Sequence, residues 1–110
     1  MSDAFKDRER GFENKWAHDA ELRFKVVARR NKLLGEWAAG ELGFSGERAK
    51  EYAMAVVQAD FQEPGHEDVF RKIRSDFDAA KLARSDASIR HKMEELLAVA
   101  GKQIVGEKGT

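Results

Sequence analysis

The stretch SDASIRHKMEELLAVAGKQI, residues 85–104, decides the fold. Ile89, Met93, Leu96, Leu97, Ala100 and Ile104 recur at spacings of three, four or their sums, which lines them along one side of a helix over about 86–104. Ser85 or Asp86 supplies the N-cap, and Gly101, Gly106 and Gly109 mark where the helix should fray, leaving 106–110 as a loose end. Upstream, Val69, Phe70, Ile73, Phe77 and Ala80 repeat the pattern over about 66–82, with Glu67 and Asp68 at the positive end of the helix dipole. Pro64-Gly65 separates this helix from one over about 46–62, capped by Ser45 and striped by Ala49, Tyr52, Ala53, Val56, Val57 and Phe61. Before it, Phe24, Val27, Leu33, Leu34, Trp37 and Ala38 mark a helix over about 18–42 that Gly40 and Gly43 bring to an end. Trp37 and Tyr52 occupy stripe positions and read as core. Four amphipathic helices with short connections predict an all-α four-helix bundle over residues 20–105 with antiparallel neighbours.

Composition bounds the function. The 110 residues carry 20 basic and 20 acidic side chains, so no long-range field draws the whole molecule to nucleic acid or anionic lipid. Cysteine is absent, which removes disulfides, thiolate metal ligands and thiol nucleophiles together. No apolar run is long enough to span a bilayer, and the charged start lacks a secretory apolar stretch, so a cytoplasmic protein is expected.

Residues 1–19 differ from the rest. Phe5, Phe12 and Trp16 are their large apolar groups, set among Lys6, Arg8, Arg10, Lys15, Asp3, Asp7, Glu9, Glu13 and Asp19. Three such groups cannot offset the ordering entropy of the segment, so it is expected to be mobile alone. Spacings of seven and four nevertheless put Phe5, Phe12 and Trp16 on one side of a helix. Opposite charges at Lys6/Glu9, Asp7/Arg10, Arg10/Glu13 and Lys15/Asp19 would support that helix. The segment is therefore an arm poised to fold on a partner. Trp16 has two readings, an anchor for that partner or a packing residue at the start of the first helix.

The chemistry-bearing residues form no catalytic set. His18, His66 and His91 fall in separate segments, without the paired spacing of a helical zinc site. Asp60, Glu63, His66, Glu67 and Asp68 gather around Pro64 but lack the spacing of a calcium loop, and they read as solvated helix-end residues, so no metal is expected. Gly101-Lys102-Gln103 lacks both the upstream glycine and the following hydroxyl of a phosphate loop. The basic run Arg23, Lys25, Arg29, Arg30 and Lys32 could meet phosphates or a partner protein. Its spread around the helix favours a solvated or partner-facing surface over a nucleic-acid footprint.

A resemblance adds to this reading. The runs Asp7-Arg8-Glu9-Arg10, Phe12-Glu13-Asn14-Lys15 and Ala17-His18-Asp19 lead through Glu21, Phe24 and Lys25 into Ala28-Arg29-Arg30-Asn31-Lys32-Leu33-Leu34-Gly35 and Trp37-Ala38-Ala39. Further on stand Glu63-Pro64-Gly65 and Asp68-Val69-Phe70-Arg71-Lys72. This pattern resembles the zeta subunit of alphaproteobacterial F-type ATP synthases, an ATPase inhibitor, along nearly the whole chain. The resemblance implies a four-helix body and an N-terminal segment that enters an alpha/beta catalytic interface beside gamma and blocks rotation in the hydrolytic direction. It implies that Phe5, Phe12 and Trp16 fill apolar pockets there while Arg8, Arg10 and Glu13 set the register. It further implies a protein on the cytoplasmic side, peripheral to the inner membrane through the synthase, monomeric when free and without a cofactor beyond weak binding of adenine nucleotide. The alternative left by the residues themselves is a small nucleotide- or phosphate-sensing protein using the helix from Arg23 to Lys32.

Overall fold

A computed structural model describes residues 19–60 and 67–109, with side chains through residue 106. Four helices make up the described chain: α1 (Ala20–Glu41), α2 (Gly46–Ala59), α3 (Glu67–Ala79) and α4 (Asp86–Gly109). The all-α four-helix class expected from periodicity is what folds, and no strand occurs among the described residues. Residues 1–18, with Phe5, Arg8, Arg10, Phe12, Glu13, Trp16 and His18, lie outside the described residues, as do Phe61, Glu63, Pro64, Gly65 and His66.

α1 is the central element, packed along both α2 and α4, while α3 bridges α2 and α4. Neighbours on two sides give α1 two buried lines at helical repeat: Val26, Arg30, Leu34 and Ala38, and beside them Asn31, Gly35 and Ala39. The expected stripe is corrected accordingly. Phe24 is 60% exposed and Val27 only half-buried, because the residue turned inward in that turn is Val26. Asp19 belongs to the body rather than to the arm alone. Its backbone is extended and its Oδ1 accepts from the amides of Glu21 (3.0 Å) and Leu22 (3.1 Å), satisfying two of the orphan donors of α1.

The core divides along α1. Its second half joins Val56 of α2, Val69, Phe70, Ile73 and Phe77 of α3, and Ile89 and Met93 of α4, with Trp37 packed edge-on against Phe77 at a ring separation of 5.7 Å. Its first half packs on the end of α4, where Val26 meets Ala100 and Ile104. The stripe of α4 is thus buried or half-buried at every expected position. The helix continues to Gly109 instead of ending near Ile104. An interior glycine costs a helix about 1 kcal/mol, too little to end one that carries the buried Ile104.

The helix ends show what stops them. α1 closes on Gly43, at φ +83°, with Gly43 N–H donating to Gly40 O (3.1 Å) and Phe44 N–H to Ala39 O (2.8 Å). α3 closes in the same way on Lys81, at φ +56°, through Lys81 N–H to Asp78 O (3.0 Å) and Leu82 N–H to Phe77 O (2.8 Å). The helix expected to reach residue 82 therefore ends at Ala79, and Ala80 is exposed instead of buried. At α2, Ser45 occupies the N-cap position without a side-chain capping bond. At α4 the cap is Ser85, whose Oγ accepts from Ser88 N–H at 3.1 Å, whereas Asp86 is taken by Arg74 at 2.9 Å.

Candidate partner-binding surface

The basic run sorts itself by its position on α1. Arg23, Lys25 and Lys32 are exposed and Arg29 is half-buried, whereas Arg30 is 1% exposed. Arg30 lies on the line that faces the body, its Nε donating to Asn31 Oδ1 at 2.7 Å. Burial pushes its pKa below the usual guanidinium value, with Asp60 pulling the other way. It therefore does not share the surface on which Lys25, Arg29 and Lys32 sit, and its position asks for a structural role. Arg29 reaches across to α4, donating from Nη1 to Gln103 Oε1 at 2.8 Å. Lys25 pairs with Glu21 at 3.3 Å.

That surface borders a groove. Because α2 is shorter than α1, the outer face of the first half of α1 is left beside the end of α2, and a cavity of about 640 Å³ opens between them. Its floor is made of small or branched apolar side chains, Ala28, Ala53 and Val57, with Ile104 of α4 at one side. Phe24 and the 56% exposed Met54 stand at its walls. Lys25, Arg29, Lys32 and Lys50 rim it, against one carboxylate, Glu36. The floor lies low because α1 and α2 approach closely at Gly35: a Cβ there would stand 2.7 Å from Ala53 Cα. Sequence periodicity puts Ala53 in the core and Phe24 on the stripe. It misses the groove because the groove needs the unequal lengths of α1 and α2.

A second, smaller hollow of about 270 Å³ is lined by Arg30, Glu67, Arg90, Met93, Glu94 and Leu97. Two of its charged groups are committed to each other. Arg90 grips Glu67 with two bonds, 2.9 and 3.2 Å, and lies over the Phe70 ring. Glu67 and Asp68, expected as solvated helix-end residues, thus have partners, Asp68 pairing with Arg71 at 3.5 Å. No grouping of three or more metal-ligating side chains occurs among the described residues. The other polar cluster is Tyr52, Asp76 and Lys72. The Tyr52 hydroxyl donates to Asp76 Oδ2 at 2.7 Å and Lys72 Nζ donates to the same oxygen at 3.0 Å. Burial first, and then the bond to Asp76, push the phenol pKa far up, so Tyr52 holds its proton and ties α2 to α3.

Four helices tied by ion pairs, a groove and a basic rim define a small all-α protein with a candidate docking surface. The family model described as ATPase inhibitor subunit zeta matches residues 1–103, and the chain belongs to that family. It is a family of ATP synthase inhibitors and not of catalysts. Among solved structures the chain is similar to a protein determined by solution NMR, at 51% identity and a TM-score of 0.69, over 78% of this chain and 98% of that one. No curated protein gives a significant match. Among the described residues no helix is long and apolar enough to cross a membrane.

Proposed function

We propose that this chain inhibits ATP hydrolysis by inserting its N-terminal segment, residues 1 to about 19, at an alpha/beta catalytic interface of an F-type ATP synthase beside gamma. The observation that carries the reading is the reach of the family match, which runs from residue 1 and so takes in the segment ahead of the bundle. On this reading the inhibition is mechanical. Folding the segment against its partner costs ~2–5 kcal/mol of ordering. Phe5, Phe12 and Trp16, each contributing roughly 1.5–3 kcal/mol on full burial, offset that cost, while Arg8, Arg10 and Glu13 fix the register. A bundle that docks beside the site raises the effective concentration of the segment to the order of mM. The protein then acts from the cytoplasmic side, held to the inner membrane only through the synthase, and is monomeric when free.

The test is truncation. Asp19 caps α1, so the shortened chain should begin at Asp19 and lack residues 1–18. The expected result is loss of inhibition with thermal unfolding unchanged; a truncated chain that inhibits like the full one overturns the reading. Joint replacement of Phe5 and Phe12 by alanine should weaken inhibition in the same direction.

A second reading, a nucleotide- or phosphate-sensing protein, has one observation in its favour: Lys25, Arg29 and Lys32 rim an apolar groove. Titration with ATP and ADP tests it, since saturable shifts confined to α1 below millimolar ligand support sensing and their absence removes it.

A further inference from the structure

We propose that Met54 is the residue at which hydroperoxides modify this chain, and that its sulfoxide turns one wall of the groove between α1 and α2 from apolar to polar while the bundle stays folded. This chemistry belongs to the body and is independent of whether the chain inhibits anything.

The chain has few sulfur atoms to offer. Cysteine is absent, so the three methionines carry all of its oxidisable sulfur. Met1 lies outside the described residues. Met93 is 5% exposed and belongs to the main core with Ile73, Phe77 and Ile89, although it also lines the smaller hollow beside Arg90. Met54 is 56% exposed.

Packing explains the difference. α2 turns Ala53 and Val56 into the body. Lys50, Met54 and Val57 follow one another at helical repeat on the adjoining side of α2, and all three line the groove. With alanines at 28 and 53 in its floor, the groove opens to about 640 Å³, far more room than a peroxide molecule needs. The Met54 sulfur attacks one oxygen of the hydroperoxide, the O–O bond breaks and an S–O bond forms. The proton on the transferred oxygen passes to the departing oxygen, which leaves as water or an alcohol. Sulfur gives up two electrons and the peroxide takes them. Reduction by the epimer-specific methionine sulfoxide reductases restores the thioether.

A sulfoxide oxygen is a strong acceptor and is costly to bury without a donor. The groove supplies donors. Lys50 stands one turn before Met54 on the same side of α2, and Lys25, Arg29 and Lys32 line the α1 side. The pairs already present do not close the lysines off. Lys50 meets Glu47 at 3.6 Å with the two side chains 77% and 83% exposed, and Lys25 meets Glu21 at 3.3 Å, also at the surface. Such exposed pairs exchange partners at little cost. Arg29 is held by Gln103 at 2.8 Å. Glu36, the carboxylate of the rim, repels the new oxygen and so favours the lysines as its partners. At Met93 the same oxygen would intrude on the apolar cluster that joins the helices, so oxidation there destabilises the fold and oxidation at Met54 does not.

The test uses the full chain and dilute hydrogen peroxide. Trypsin releases residues 51–71 and 93–102 as peptides with one methionine each, which mass spectrometry follows separately. Met54 should gain an oxygen about tenfold faster than Met93, in line with exposures of 56% and 5%. In urea the two rates should converge, because the fold creates the difference. Equal rates in the folded chain, or faster uptake at Met93, overturn the proposal, as does a difference that persists in urea. Chain oxidised at Met54 alone should melt as the untreated protein does, with amide signals moving at Lys32, Lys50, Ala53 and Val57. A lowered melting temperature, or movement centred on Ile73 and Phe77, overturns the accommodation of the sulfoxide in the groove and the proposal with it. Met54→Leu keeps the wall apolar and leaves no sulfur there, so peroxide should not move its groove signals. Movement that survives this substitution assigns the oxidation to another residue and overturns the proposal.

Discussion

Gly35 and Ala53 form the closest approach between α1 and α2: a Cβ added to residue 35 would stand 2.7 Å from Ala53 Cα and 3.2 Å from its Cβ. The contact is with backbone, so nothing there can swing aside. Gly35→Ala gains about 1 kcal/mol of helix propensity and loses about 1–3 kcal/mol by forcing packed helices apart. The expected outcome is a net loss of about 1 kcal/mol, read as a lower urea midpoint. A rise in the midpoint would mean that the helices separate freely at this crossing.

Arg30 and Lys32 are two residues apart and have opposite standing. Arg30 is 1% exposed and shares a 2.7 Å bond with Asn31, which is equally buried, whereas Lys32 is exposed. Arg30→Ala empties a buried volume and takes the donor from Asn31 Oδ1, for an expected loss of about 3 kcal/mol. Lys32→Ala should stay within about 0.5 kcal/mol. Equal effects of the two in chemical denaturation would show that Arg30 is not part of the body.

Tyr52 gives the bundle an alkaline limit. Its pKa in the folded chain lies above the unfolded value near 10, first through burial and then through the bond to Asp76. A raised pKa means that the folded state keeps a proton the unfolded state has lost. Its stabilising effect is complete below about pH 10 and declines as pH rises beyond that point. Tyr52→Phe should cost about 1 kcal/mol at neutral pH, the usual net worth of a hydrogen bond. It should also flatten the loss of stability above pH 10. Thermal melts of the two proteins across that range check both the size and the sign.

How much can be read from the sequence varies with the number of neighbours a helix has. Spacing places Ile89, Met93, Ala100 and Ile104 correctly because α4 carries large apolar groups on one side. α1 has partners on two sides, and its second buried line is Asn31, Gly35 and Ala39, residues that carry little or no hydrophobic signal. Phe24 is large and apolar yet 60% exposed, because α2 ends before it could cover that turn. The same shortfall opens the groove, so the candidate surface depends on a length difference that periodicity does not report. The basic residues along it are legible as a cluster; which of them faces inward is not.

Asp19 caps the first helix of the described body. Asp19→Ala removes the acceptor for two amides and is expected to cost about 1 kcal/mol, seen as earlier loss of helicity on heating. Removing residues 1–18 with Asp19 kept should leave that melt unchanged, which separates the stability of the body from the work of the segment before it.

Lys81 is in left-handed backbone at φ +56° where α1 uses Gly43 at φ +83° for the same closure. A side chain in that conformation costs about 1–2 kcal/mol, and glycine avoids the cost at the expense of about 0.4–1 kcal/mol from its looser unfolded chain. Lys81→Gly should therefore stabilise the protein by about 0.5–1 kcal/mol. Gly43→Ala, with no atom within 4 Å of the new Cβ, isolates the backbone strain and should cost about 1 kcal/mol. Opposite shifts in melting temperature from these two substitutions are the expected result. A drop with Lys81→Gly would mean that the Lys81 side chain itself helps hold α3 in place, outweighing the strain of its backbone.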